Sequence, residues 1–83
     1  MKISFTRDGW EDYVSWVGDR TILKRINRMV QEAVPDPGQG IGKPERLSYN
    51  LSGYWSRRIT DEHRLVYQLR GDELVIVQAR YHY

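Results

Sequence analysis

YWSRRITDEHRLVYQLRGDELVIVQARYHY, residues 54–83, decides the fold. Apolar and polar side chains alternate here with a period of two, over 54–59, 63–69 and 73–83, which reads as three half-buried strands. The connections, 60–62 and 70–72, are tight, so the strands are expected to pair antiparallel as a meander. Residues 45–50, ERLSYN, add a short strand or an irregular edge.

Upstream of the meander the pattern changes. Residues 35–44, PDPGQGIGKP, hold all three prolines and three of the seven glycines, and form a loop. Before it, Ile22, Leu23, Ile26, Met29, Val30 and Ala33 recur on one helical face, with Asp19 placed to cap the helix. An earlier helix carries Trp10, Tyr13, Val14 and Val17 at helical spacing, with Asp8 and Glu11 as its capping pair and Gly18 as its end. KISF, Lys2 to Phe5, is a first strand. The expected fold is therefore α+β: an N-terminal strand and a two-helix hairpin packed on one face of a curled antiparallel sheet. The other sheet face is left for function.

An 83-residue chain is one domain, 1–83, with any site on the surface of its single core. Cysteine is absent, so neither disulfides nor thiolate metal sites hold that core together. The ten aromatic residues are its obvious material. No apolar run approaches the roughly 20 residues needed to cross a bilayer, and MKISFTRDGW lacks a signal-peptide core, so a cytoplasmic protein without a membrane partner is expected. The net charge of +2 arises in the second half of the chain, and ten of the thirteen basic residues are Arg, whose planar fork suits phosphate.

Strand parity asks which polar groups share the open face. Arg58 lies with Tyr54 and Ser56, opposite Trp55, Arg57 and Ile59; Arg64 lies with Val66, opposite Leu65, Tyr67 and Leu69; Arg80 lies with His82, opposite Ala79, Tyr81 and Tyr83. Without a bulge, Arg58, Arg64, Arg80 and His82 converge, and Glu45 joins them from just past the loop. His63 falls with Leu65 and Tyr67 on the core side and reads as structural.

GKPERL, NLSGYWSRRITDEHRLVY and the closing ARYHY resemble, in wording and spacing over essentially the whole chain, the YoeB toxins of the RelE/ParE superfamily. The resemblance implies the RelE-like microbial ribonuclease fold and a bacterial toxin that enters the ribosomal A site and cleaves messenger RNA. It also implies a cognate YefM-like antitoxin, in a homodimer or a toxin–antitoxin hetero-oligomer, and neither cofactor nor metal. Carried over by residue, Glu45 matches the general base, Arg64 the transition-state arginine, His82 the general acid, Tyr83 the tyrosine beside it and Arg58 a phosphate contact. Lys43, Arg46 and Arg80 are further candidate RNA contacts. The pattern departs at Ser48, where the family has Lys; Arg46 is a possible replacement cation.

The residue types suit that chemistry. RNA is cut without metal or water when its own 2′-OH attacks the adjacent phosphorus, leaving a 2′,3′-cyclic phosphate and a 5′-OH. A carboxylate ionised at neutral pH takes the 2′ proton, an imidazole gives a proton to the 5′ oxygen, and guanidinium groups stabilise the added charge. Tyr83, Tyr81 or Tyr49 could stack on an unstacked base. Two other readings use the same fold: a ParE-like toxin that binds gyrase, and a non-catalytic interaction module whose basic face receives an acidic antitoxin segment. Neither has a chemical reason to combine Glu45, Arg64 and His82.

Overall fold

The computed structural model describes residues 1–47 and 53–81. Strand β1 (Lys2–Phe5) leads through helices α1 (Arg7–Val14) and α2 (Arg20–Ala33) and the 35–44 loop to β2 (Glu45–Arg46). The meander follows as β3 (Tyr54–Arg58), β4 (Arg64–Arg70) and β5 (Glu73–Gln78). The sheet order is β1-β5-β4-β3-β2. The last four of these strands pair antiparallel, as the alternation predicts, while β1 lies parallel to β5 with Lys2 opposite Glu73 and Phe5 opposite Ile76. The sheet is therefore mixed. Among the described residues no helix is long and apolar enough to cross a membrane.

The expected stripe of α2 is the one that packs. Ile26, Met29, Val30 and Ala33 are buried against Leu65, Tyr67, Leu74, Ile76 and Ala79, with Trp16 and Ile59 closing the cluster. Asp19 caps this helix by accepting from the Ile22 N–H at 3.1 Å.

Helix α1 departs from its sequence reading. Its cap is Thr6, whose Oγ1 accepts from the Gly9 N–H at 3.1 Å, rather than the Asp8–Glu11 pair. The Thr6 N–H is held by the Ile76 carbonyl at 2.9 Å, so the helix starts at Arg7 and Asp8 falls in its first turn. The helix also ends at Val14, and a turn carries the chain to Gly18. Trp10, Val14 and Val17, expected to be buried, are exposed.

What α1 buries instead is Gly9. A Cβ at that position would overlap the carbonyl oxygen of Ile76 and lie 3.2 Å from the Val77 carbonyl carbon. The helix backbone thus rests directly on β5, an approach that only glycine permits. Gly9→Ala is expected to lower the thermal midpoint by about 4 °C or more, because overpacking against a fixed backbone costs about 1–3 kcal/mol. Gly18→Ala, with open space around it, is the control and leaves the midpoint in place.

Candidate active site

Strand register assembles the candidate site. Glu45 pairs with Ser56, Ser56 with Val66 and Val66 with Gln78, which makes one row across four strands. Arg58 and Arg64 form the adjacent pair. Residues directly opposite in a ladder point the same way, so Glu45, Arg58 and Arg64 share a face. That face is opposite the core side, which carries Leu65, Tyr67, Leu74 and Ile76.

Backbone contacts fix the two arginines. The Arg58 N–H donates to the Gly42 carbonyl at 2.6 Å, and the Arg58 carbonyl accepts from Nη2 of Arg25 on α2 at 2.9 Å. The Arg64 N–H donates to the Tyr81 carbonyl at 3.0 Å, and Arg64 Nη1 donates to the Thr60 carbonyl at 3.2 Å. Among the described residues the ion pairs are Arg7–Glu11 and Arg28–Glu32. Glu45, Arg58 and Arg64 are therefore not neutralised by one another or by a described neighbour, and both cations remain available to an anion. Lys43 is exposed beside them, next to Gly42.

The loop that delivers Glu45 is wrapped around a buried guanidinium. Arg57 has no exposed surface. Its Nε donates to the Tyr67 hydroxyl at 2.8 Å, Nη1 to the Ile41 carbonyl at 3.1 Å, and Nη2 to the carbonyls of Gln39 at 2.6 Å and Pro37 at 3.1 Å. The Tyr67 hydroxyl in turn donates to the Pro37 carbonyl at 2.7 Å. Burial pushes the Tyr67 phenol above its ordinary pKa, so it stays a neutral donor. Glu32 closes the loop from α2 by accepting from the Ile41 N–H at 2.8 Å. That bond, and then the one from Arg28, hold the Glu32 carboxyl below its ordinary value. Gly40 has φ +114°, and a Cβ there would overlap Glu32 and come within 2.7 Å of Arg57 Nη1.

Other candidates are not gathered at this face. Arg46 is on the opposite side of β2, with its guanidinium 5.6 Å from the Trp55 ring centre. A two-residue strand reverses parity at each step, and Glu45 takes the open side. Arg80 stacks 4.1 Å above Trp16 and donates to Ser15 Oγ at 2.9 Å, beside α1. A bulge at Val77, where Tyr67 pairs with Ile76 but Val66 with Gln78, puts Gln78 on the open face. Arg80 leaves that face because strand β5 stops at Gln78 rather than running to residue 83, so alternation no longer places the side chains beyond it. Tyr81 is exposed, with its ring 5.1 Å from that of His63. Ser48, Tyr49, His82 and Tyr83 lie outside the described residues.

His63 is buried on the core side, as parity predicts. The sequence reading gave no role to Arg57. Its signal was present: two consecutive arginines in a strand must face opposite ways, so one of them had to point inward.

Comparison with known proteins matches residues 5–83 to the family model described as a YoeB-like toxin of bacterial type II toxin-antitoxin system. The Toxin YoeB of Streptomyces coelicolor is 62% identical over the full length of both chains. A YoeB/ParE toxin from Agrobacterium tumefaciens superposes with a TM-score of 0.94 at 43% identity, covering all of both chains. The YoeB chain of a YoeB-YefM complex from Staphylococcus aureus gives 0.88 at 39%, over all of this chain and 98% of that one. The YoeB dimer from the same organism gives 0.90 at 40% with the same coverage.

The buried arginine and its loop make two expectations measurable. Arg57→Met leaves the Tyr67 hydroxyl and several loop carbonyls without their donor, and is expected to cost about 3 kcal/mol or more in urea unfolding. Glu32→Gln is expected to be less stable than the parent at neutral pH. Because the folded carboxyl titrates below 4.5, the unfolded chain takes up the proton first as pH falls. The parent's advantage should hold above that value and close as pH drops through the lowered one; a gap independent of pH would show that charge does not hold the loop.

Proposed function

The chain belongs to the YoeB-like toxins of bacterial type II toxin-antitoxin systems, and we propose that it is a ribosome-dependent endoribonuclease that cleaves messenger RNA in the A site. The observation that carries this reading is the sharing of one sheet face by Glu45, Arg58 and Arg64, with both cations free of any carboxylate among the described residues. A base next to uncompensated guanidinium groups fits a reaction that removes a proton and gathers negative charge at phosphorus.

Glu45 takes the proton from the 2′-OH, whose oxygen attacks the adjacent phosphorus. Arg64, with Arg58, stabilises the charge that accumulates on the phosphoryl oxygens. Arg64 Nη1 is engaged with loop carbonyls in the free protein, so it exchanges that partner for phosphate when RNA arrives. The bond from phosphorus to the 5′ oxygen breaks as His82 donates a proton to that oxygen. The products are a 2′,3′-cyclic phosphate and a 5′-OH, and the proton count balances between Glu45 and His82. Acid and base each contribute about 10²–10⁴ in rate. Lys43 and Tyr83 contact the RNA beside this centre, and no cofactor is needed because the nucleophile belongs to the substrate.

A net charge of +2 gives little general affinity for RNA, so the ribosome supplies the positioning. The partners follow from the family. A YefM-like antitoxin silences the toxin, consistent with the complex from Staphylococcus aureus, and the free toxin forms a homodimer, as its relative from that organism does.

Translation in vitro with the added protein, read by primer extension along the message, tests this function. Codon-associated cuts that require ribosomes are expected, with a loss of about 10²-fold or more in Glu45→Ala and in His82→Ala while circular dichroism stays unchanged. Undiminished cleavage by both variants would overturn the mechanism. Gyrase-dependent DNA breaks without RNA cuts would replace it by a gyrase-binding toxin.

A further inference from the structure

The chain just before His82 is held far more firmly than a segment beyond its last strand requires. Strand β5 ends at Gln78, yet the N–H and the carbonyl of both Ala79 and Tyr81 are engaged. The Ala79 N–H donates to Asp12 Oδ2 at 3.1 Å, and the Ala79 carbonyl accepts from Trp16 Nε1 at 2.7 Å. The Tyr81 N–H donates to Nδ1 of His63 at 2.8 Å, and the Tyr81 carbonyl accepts from the Arg64 N–H at 3.0 Å. Between them Arg80 is pinned over Trp16.

Two details show that this arrangement imposes a particular geometry. Tyr81 has φ +62°, a left-handed conformation that a side-chain-bearing residue adopts only when its surroundings enforce it. His63 is the group that enforces it from one side. It is buried, edge-on to the Trp16 ring at 4.9 Å, and accepts at Nδ1, so its own proton sits on Nε2. His63 and Arg64 are consecutive, and together they bind the N–H and the carbonyl of the residue that precedes His82. The backbone that carries the transition-state arginine and the backbone that leads to the proton donor are thereby tied to each other.

We propose that His63, supported by Asp12, is a positioning residue for the general acid: its Nδ1 holds the Tyr81 N–H and so sets where His82 presents its proton to the departing 5′ oxygen. This rests on the reading of His82 as general acid. A proton donor displaced by about 1 Å loses on the order of 10²-fold in rate, and the loss falls on the leaving-group step alone.

That selectivity provides the test. Ribosomes are programmed with a message whose scissile linkage carries sulfur in place of the bridging 5′ oxygen, and single-turnover cleavage is compared with the all-oxygen message. A thiolate departs without needing a proton, so a defect in the acid disappears on the sulfur message. His63→Phe, which keeps the ring but not the acceptor, is expected to be slowed about 10²-fold on oxygen and to return to within about threefold of the parent on sulfur. His63→Asn, whose Oδ1 falls near the place of Nδ1, regains most of the oxygen rate. Asp12→Ala gives a smaller loss of the same kind and serves if His63→Phe does not fold.

Equal slowing of the His63 or Asp12 variant on both messages would overturn the proposal and make the contact structural, as would an unimpaired rate on oxygen. His82→Ala is the reference. If sulfur does not restore its rate, the assignment of His82 as acid fails instead, and the proposal falls with it for that separate reason.

Discussion

A cation with no exposed surface and, among the described residues, no carboxylate in an ion pair with it is the constraint on which the candidate site depends. Burying the Arg57 charge costs several kcal/mol unless its N–H groups find oxygen partners. The 35–44 loop supplies them as main-chain carbonyls, and Tyr67 supplies a phenol. The dependence is mutual: the loop contains no helix or strand, so its inward carbonyls need donors that water cannot reach. Sheet and loop hold their geometry only together. Because β2 begins where that loop ends, the placement of Glu45 follows from a charge on the other face of the sheet.

The adjacent pair Arg57 and Arg58 shows how one dipeptide serves both layers. Period-two geometry sends the first inward to hold the loop and leaves the second exposed on the candidate site face. His63 and Arg64 repeat the division at the start of β4, with an imidazole in the core and a guanidinium at the site. In both pairs the inward residue fixes backbone on which an outward residue depends. Substitutions at these inward positions should therefore reach the chemistry through the backbone, without any contact to RNA.

Much of this was legible in the sequence. The meander, the loop, the cap at Asp19 and the face of α2 follow from periodicity and turn chemistry, since in these elements the apolar side chains make the packing. Helix α1 misled for the opposite reason: its tightest contact is made by a residue with no side chain, so the hydrophobic stripe marks an exposed flank. The facing of Arg58 and Arg64 was readable because no irregularity separates them in register, whereas Glu45 could be placed only as the residue just past the loop. Arg80 was not readable, because β5 ends at Gln78 in the middle of a run of β-forming residues, and beyond that end Arg80 is placed by Trp16 and Ser15 instead of by alternation. Arg46 was lost to a two-residue strand whose phase only its pairing with Trp55 determines.

Where the basic side chains are engaged also bears on how such a protein meets RNA. Arg57 is buried, Arg25 caps the carbonyls at the end of β3, Arg7 and Arg28 pair with glutamates, and Arg46 and Arg80 lie over indole rings. An arginine-rich composition thus overstates the charge offered to a polyanion, because much of it is spent on holding the fold. Affinity for nucleic acid grows with the number of phosphates neutralised, and a face with Arg58, Arg64 and Lys43 can neutralise only a few. Arg58 and Arg64 are paired on one face of the sheet, and Lys43 follows the glycine whose carbonyl holds the Arg58 N–H. On the proposed function, so few phosphate contacts suit a nuclease that acts on a strand already held in place, with the cations serving the transition state and the ribosome supplying the binding.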